Sequence, residues 1–154
     1  MSSEQIDSLK SWLNNGWLVE HETSPQEVSA LLQVVERDIE ESRTPGLGAD
    51  WRLAIAYNAA LQAATLGLAA SGFRASREAH HYRVIASLAL TIGASPAMVA
   101  RLDAFRKKRN LGGYERAGQA SDGEADEMRE LAVELKRAAL AFLGKHHKEL
   151  LPDA

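Results

Sequence analysis

The chain has 154 residues, 45% of them hydrophobic and 25% charged, the size and balance of one globular domain with its own core spanning residues 1–154. It contains no cysteine, which excludes disulfides and thiolate metal sites. The opening Met1-Ser2-Ser3-Glu4-Gln5 lacks the basic and apolar regions of a secretory leader, and Arg52, Arg74 and Arg77 interrupt the most apolar stretch, so a cytoplasmic protein without a membrane span is expected.

Helix signals follow one another along the chain. Ser2 and Gln5 are spaced as a capping box, Ile6, Leu9 and Leu13 recur at helical spacing, and Asn14-Asn15-Gly16 closes the segment. Ser24-Pro25 opens a second helix with a stripe of Val28, Leu31, Leu32, Val35 and Ile39, stopped by Thr44-Pro45-Gly46. Asp50 is placed to cap a third, from Trp51 to about Ser71-Gly72. That helix is apolar nearly all round, as a central helix with several neighbours would be. Ser76 opens a fourth helix carrying Val84, Ile85, Leu88 and Ile92, and Ser95-Pro96 a fifth with Met98, Leu102 and Phe105 inward. After a glycine-containing loop over 111–123, Ser121 and Glu124 form a capping box for a sixth helix with Met128, Leu131, Leu135, Phe142 and Leu143. Short connections favour antiparallel neighbours. The expected fold is all-α: an up-and-down antiparallel helical bundle with a four-helix core and additional N-terminal helix or helices.

The net charge of −3 conceals a strong asymmetry. Residues 1–72 carry 4 basic and 10 acidic side chains, residues 73–116 carry 9 and 3, and residues 117–154 carry 5 and 8. A basic island thus sits inside an acidic protein, either to bind an anion or to neutralise neighbouring helices. Within it, Arg109 continues the apolar stripe of the fifth helix four residues after Phe105, a costly position for a guanidinium unless it is paired or opens on a cleft. Arg106 shares much of that face, whereas Lys107 and Lys108 point elsewhere. Asn110 follows, then Leu111-Gly112-Gly113 and Tyr114, with Arg116 beyond. Planar guanidinium donors match phosphate oxygens, and Arg106, Lys107, Lys108 and Arg116 would add positive potential.

This Arg109-Asn110 element, late in a helix of an all-α chain, resembles the motif of the HEPN family, in which an Arg and a following polar residue precede a His. The Tyr57-Asn58 helix and Ala69-Ala70-Ser71-Gly72-Phe73-Arg74 look similar too, and the resemblance covers roughly residues 24–144. It implies a homodimer with a composite cleft, RNA or a nucleotide as ligand, no cofactor or metal, and an antitoxin-like or nucleotidyltransferase partner. In active members it implies metal-independent RNA cleavage, in which the 2′-hydroxyl attacks the adjacent phosphate, His moves a proton and Arg stabilises the transition state. Here Tyr114 stands where the family's His would, and no histidine lies between His81 and His146. A phenol titrates near 10 and is a poor base at neutral pH. Three readings follow: a non-catalytic nucleic-acid or nucleotide binder, an endoribonuclease using Arg109, Asn110 and Tyr114, or a structural bundle with a protein partner.

Other constellations are weaker. Glu78 and His81 have the Glu-x-x-His spacing of a bundle metal site, but no second copy exists. One of His80 and His81 is expected at a helix edge and the other in solvent. His146 and His147 suit a helix C-terminal turn, and Trp12, Trp17 and Trp51 are expected in the core or at a dimer contact. Neither a Gly-x-Ser-x-Gly turn nor a phosphate-binding glycine loop is present.

Overall fold

A computed structural model describes residues 1–111 and 120–152, the side chains of 109–111 excepted. The described chain is mostly helical, with six α-helices and one small sheet. We label the helices α1 (Ser3–Asn14), α2 (Pro25–Glu41), α3 (Ala49–Ala70), α4 (His80–Ala86), α5 (Pro96–Leu111) and α6 (Asp122–His146). The strands are β1 (Leu18–Glu20) and β2 (Phe73–Ala75), and short 3-10 turns cover Ser87–Ala89 and Lys148–Leu150.

Helix α3 is the axis of the fold, packed against α2, α4, α5, α6 and β2. Its alanines make this possible: Ala56, Ala59, Ala60, Ala63 and Ala64 are buried, and their short side chains let neighbouring backbones approach. From α2 come Val28, Leu32, Val35 and Ile39, and from α6 Met128, Leu131, Leu135, Phe142 and Leu143, all buried. Each large aliphatic side chain removed from water contributes on the order of 2 kcal/mol, so these two stripes dominate the favourable side of folding. Arg52 does not keep α3 from having the length and apolarity of a membrane span, contrary to the sequence expectation. However, 72% of that apolar window is buried inside the protein's own fold.

Local capping chemistry fixes most helix starts. The Ser2–Gln5 and Ser121–Glu124 boxes are both closed, and the Ser24 hydroxyl accepts from Glu27 N. Two expectations fail. Asp50 does not cap α3, which starts at Ala49 behind Gly48 with no side-chain cap; Asp50 instead accepts from the backbone N–H of Ala120 at 3.0 Å. Ser76 does not open α4 either. It follows β2 and bonds the carbonyl of Trp17 through both its N–H (3.0 Å) and its hydroxyl (3.1 Å). The helix begins at His80, after Ala79 in left-handed backbone at φ 51°.

The sheet was not expected. Gly16 (φ 78°) and Gly72 (φ 95°) end α1 and α3 in conformations that favour glycine, and the chain leaves each one extended. The two extended pieces pair antiparallel, with Leu18 opposite Ala75, Val19 opposite Arg74 and Glu20 opposite Phe73. Leu18 and Ala75 turn inward and are buried. The ladder clamps the N-terminal segment against the start of α4.

Candidate nucleic-acid interface

The first turn of α4 carries His80, His81, Tyr82 and Arg83 in succession. Arg83 leans over the indole of Trp17, its guanidinium carbon 3.7 Å from the ring centroid. Trp17 is fixed from behind by Trp12, edge to face at 5.7 Å, and by the Ser76 bonds to its carbonyl. The Tyr82 ring is 46% exposed and is flanked by two guanidinium carbons, Arg83 at 5.6 Å and Arg106 of α5 at 5.7 Å. Cation–π contacts of this exposed kind are worth about 0.5–1 kcal/mol each, enough to orient side chains that would otherwise be mobile. The result is an alternating row, Trp17, Arg83, Tyr82 and Arg106, with Trp12 behind its first ring. Behind it, the Tyr57 hydroxyl and His81 Nδ1 lie 3.2 Å apart, Tyr57 buried and His81 half-buried, while His80 is exposed.

The basic residues singled out on α5 have acidic company. The Nε of Arg106 donates to Asp103 at 2.7 Å, and Lys107 lies 3.5 Å from the other oxygen of the same carboxylate. Burial would raise the Asp103 pKa, but the Arg106 hydrogen bond and the charges of Arg106 and Lys107 outweigh it and hold the carboxyl below the ordinary range. Lys108 pairs with Glu124 of α6, whose pKa is lowered first by that bond and next by the Ser121 backbone N–H. Arg109 and Asn110 fall in the last turn of α5, one turn past Arg106, with side chains outside the described set. Tyr114 and Arg116 lie outside the described residues.

The pairing pattern over the rest of the surface is informative. Arg37, Arg43, Arg52, Arg101 and Arg129 each reach a carboxylate, as Arg106 does. Among the described residues Arg74, Arg77, Arg83 and Arg137 do not, and the first three lie together on β2, the following turn and α4. Among the described residues, the uncompensated part of the basic island is therefore centred on 74–83, ahead of the α5 element. Arg74 and Arg77 belong to the island by composition, but no motif in the sequence singles them out as binding residues. The partnership of Arg83 with Trp17 depends on the β1–β2 ladder and leaves no local trace.

Glu78 precedes α4, so it does not share a helix face with His81. Among the described residues no group of three or more potential metal ligands is assembled. Trp12 and Trp17 are half-buried, but Trp51 is 64% exposed at the start of α3, outside any core. Comparison with protein-family models, with curated proteins and with solved structures gives no match.

Proposed function

We propose that the chain is a HEPN-like bundle of the up-and-down, four-helix type that binds single-stranded RNA in the cytoplasm without cleaving it. The observation that carries this reading is the set of arginines with no carboxylate partner among the described residues, Arg74, Arg77 and Arg83, beside the Trp17–Arg83–Tyr82–Arg106 row. Single-stranded nucleic acid is held by positive potential along its phosphates together with aromatic faces for its bases, and no sequence motif is needed for either. The Arg109-Asn110 element would extend the same surface along α5.

The test is fluorescence anisotropy with a short single-stranded RNA over a range of salt concentrations. Each phosphate neutralised on a single strand contributes about −0.7 to the slope of log K against log salt. Replacing Arg74, Arg77 and Arg83 together by Ala should reduce the slope by about 2. Replacing Lys107 and Lys108, which already pair with Asp103 and Glu124, should reduce it by less. A triple variant with an unchanged slope would refute the assignment.

The nuclease reading draws on one observation of its own: His81, hydrogen-bonded to Tyr57, precedes in α4 the Tyr82 whose ring Arg106 covers, and would supply the histidine missing at Tyr114. RNA cleavage in chelator that disappears in both Arg109→Ala and His81→Ala would transfer the assignment to that chemistry. Intact RNA keeps it with binding.

A further inference from the structure

Helix α4 with its 3-10 continuation and helix α5 leave a groove of about 380 Å³ between them. Tyr82, Ile85 and Ala89 line one wall, and Val99, Ala100 and Asp103 the other. The three- and four-residue spacings mean that each wall is a single helix face. The volume is that of a small-ligand pocket, and the alanines keep it open. Its polar groups collect at one end, where Tyr82 and Asp103 meet Arg106, with Arg83 on the far side of Tyr82. Asp103 is ionised and therefore only accepts hydrogen bonds; each carboxylate oxygen can take two, so the bonds from Arg106 and Lys107 leave acceptor capacity.

Resting on the RNA-binding reading above, we infer that this groove receives one base of the bound strand and that Asp103 makes it selective for guanine. The apolar walls suit a base removed from water, and the guanidinium groups at the mouth suit its phosphate. At the polar end a carboxylate faces the base edge. Guanine presents two adjacent N–H donors, N1 and N2, on its Watson–Crick edge. Adenine and cytosine present an amino group beside a ring acceptor, and uracil presents one N–H between two carbonyls. A carboxylate therefore makes two charge-assisted hydrogen bonds to guanine and one to any other base.

Calorimetric titration of the full chain with GMP, AMP, CMP and UMP at low salt tests this. GMP should bind about tenfold more tightly than the other three, the discrimination typical of a well-placed bidentate contact. Asp103→Asn replaces an acceptor by a donor and should abolish that preference in favour of AMP and CMP. Ala100→Trp fills the slot without changing a charge and should make the four nucleotides equally weak. Equal binding of all four by the unaltered chain overturns the inference, as does a GMP preference that survives either substitution. If RNA still binds with a salt-dependent slope in those cases, the surface assignment stands and only the groove falls; if RNA does not bind, both fall. Should Ala100→Trp instead split a dimer seen by sedimentation and leave GMP preferred, the groove is a contact between copies and the inference is overturned.

Discussion

Replacing Gly67 by Ala sets two well-characterised effects against each other. Gly67 is buried in the last turn of α3, where Ala should gain up to about 1 kcal/mol from helix propensity. The added Cβ, however, would stand 2.8 Å from Thr91 Oγ1 and 3.2 and 3.3 Å from two atoms of Ile92. Neither neighbour yields cheaply. Thr91 is 3% exposed and its hydroxyl donates to the Ser87 carbonyl at 3.2 Å, so rotating it away leaves a buried hydroxyl unsatisfied at about 1–3 kcal/mol. Ile92 is β-branched and stiff at χ1. Overpacking of this sort costs about 1–3 kcal/mol, so the clash should win by about 1–2 kcal/mol. For a chain of this length that is a fall in Tm of roughly 3–6 °C in a thermal melt. Thr91→Ala removes the obstructing oxygen, so Gly67→Ala should cost less in that background, with a coupling on the order of 1 kcal/mol. A Gly67→Ala protein that melts above the parent, or a double variant whose losses simply add, would refute the close-approach argument. The outcome bears on function, because the segment that would be pushed aside leads directly into α5 and the groove.

Two further outcomes are expected. Arg52 is largely buried, donates to the Leu47 carbonyl at 2.9 Å, and bridges Asp122 and Asp126 at the start of α6. Since those carboxylates face solvent, Arg52→Ala should lose only about 1–2 kcal/mol in urea denaturation. Lys at the same position should restore part of this at most, having no planar fork to share between the two acids. Burial would raise the pKa of Glu27, but hydrogen bonds from His21 (2.7 Å) and Thr23 (2.9 Å) and the charge of His21 outweigh it, so it sits below its ordinary 4.5. A carboxyl lowered in the fold adds stability that is complete above its unfolded value and fades as pH falls through the folded one. Melts taken below about pH 4.5 should therefore lose stability less steeply in Glu27→Gln than in the parent; parallel curves would contradict this.

Legibility in the sequence divided along the line between local and distant partners. The starts of α1, α2 and α6 were readable because a Ser hydroxyl and an N–H three residues on complete the cap by themselves. The inward stripes of α2, α5 and α6 were readable because periodicity is also local, and Leu102 and Phe105 are indeed buried. Asp50 and Ser76 misled for the opposite reason. Each is a good capping residue whose side chain has its partner far away in the chain, Ala120 N for one and Trp17 O for the other. Three-residue strands are too short for an alternation to register, so the sheet left no signal. At the candidate interface, composition located the basic island, and helix phase brought Arg106 to notice. Which cations lack a counter-charge is a property of tertiary pairing, and it moved the centre of interest to Arg74, Arg77 and Arg83.

The small β1–β2 ladder also sets the order in which the proposed surface can come into being. Helices α2 and α3 are neighbours in the chain and can dock early, whereas Leu18 and Ala75 meet only after the whole loop between them has closed, at an entropic cost that grows with its length. Trp17 therefore comes under Arg83 late in folding. During synthesis β1 must wait for its partner strand until β2 has been made, and Trp17 for its guanidinium until α4 has followed. The same long-range closure makes the clasp the natural place for a local opening event, one that would take the indole from beneath its guanidinium while α3 and its core stay folded.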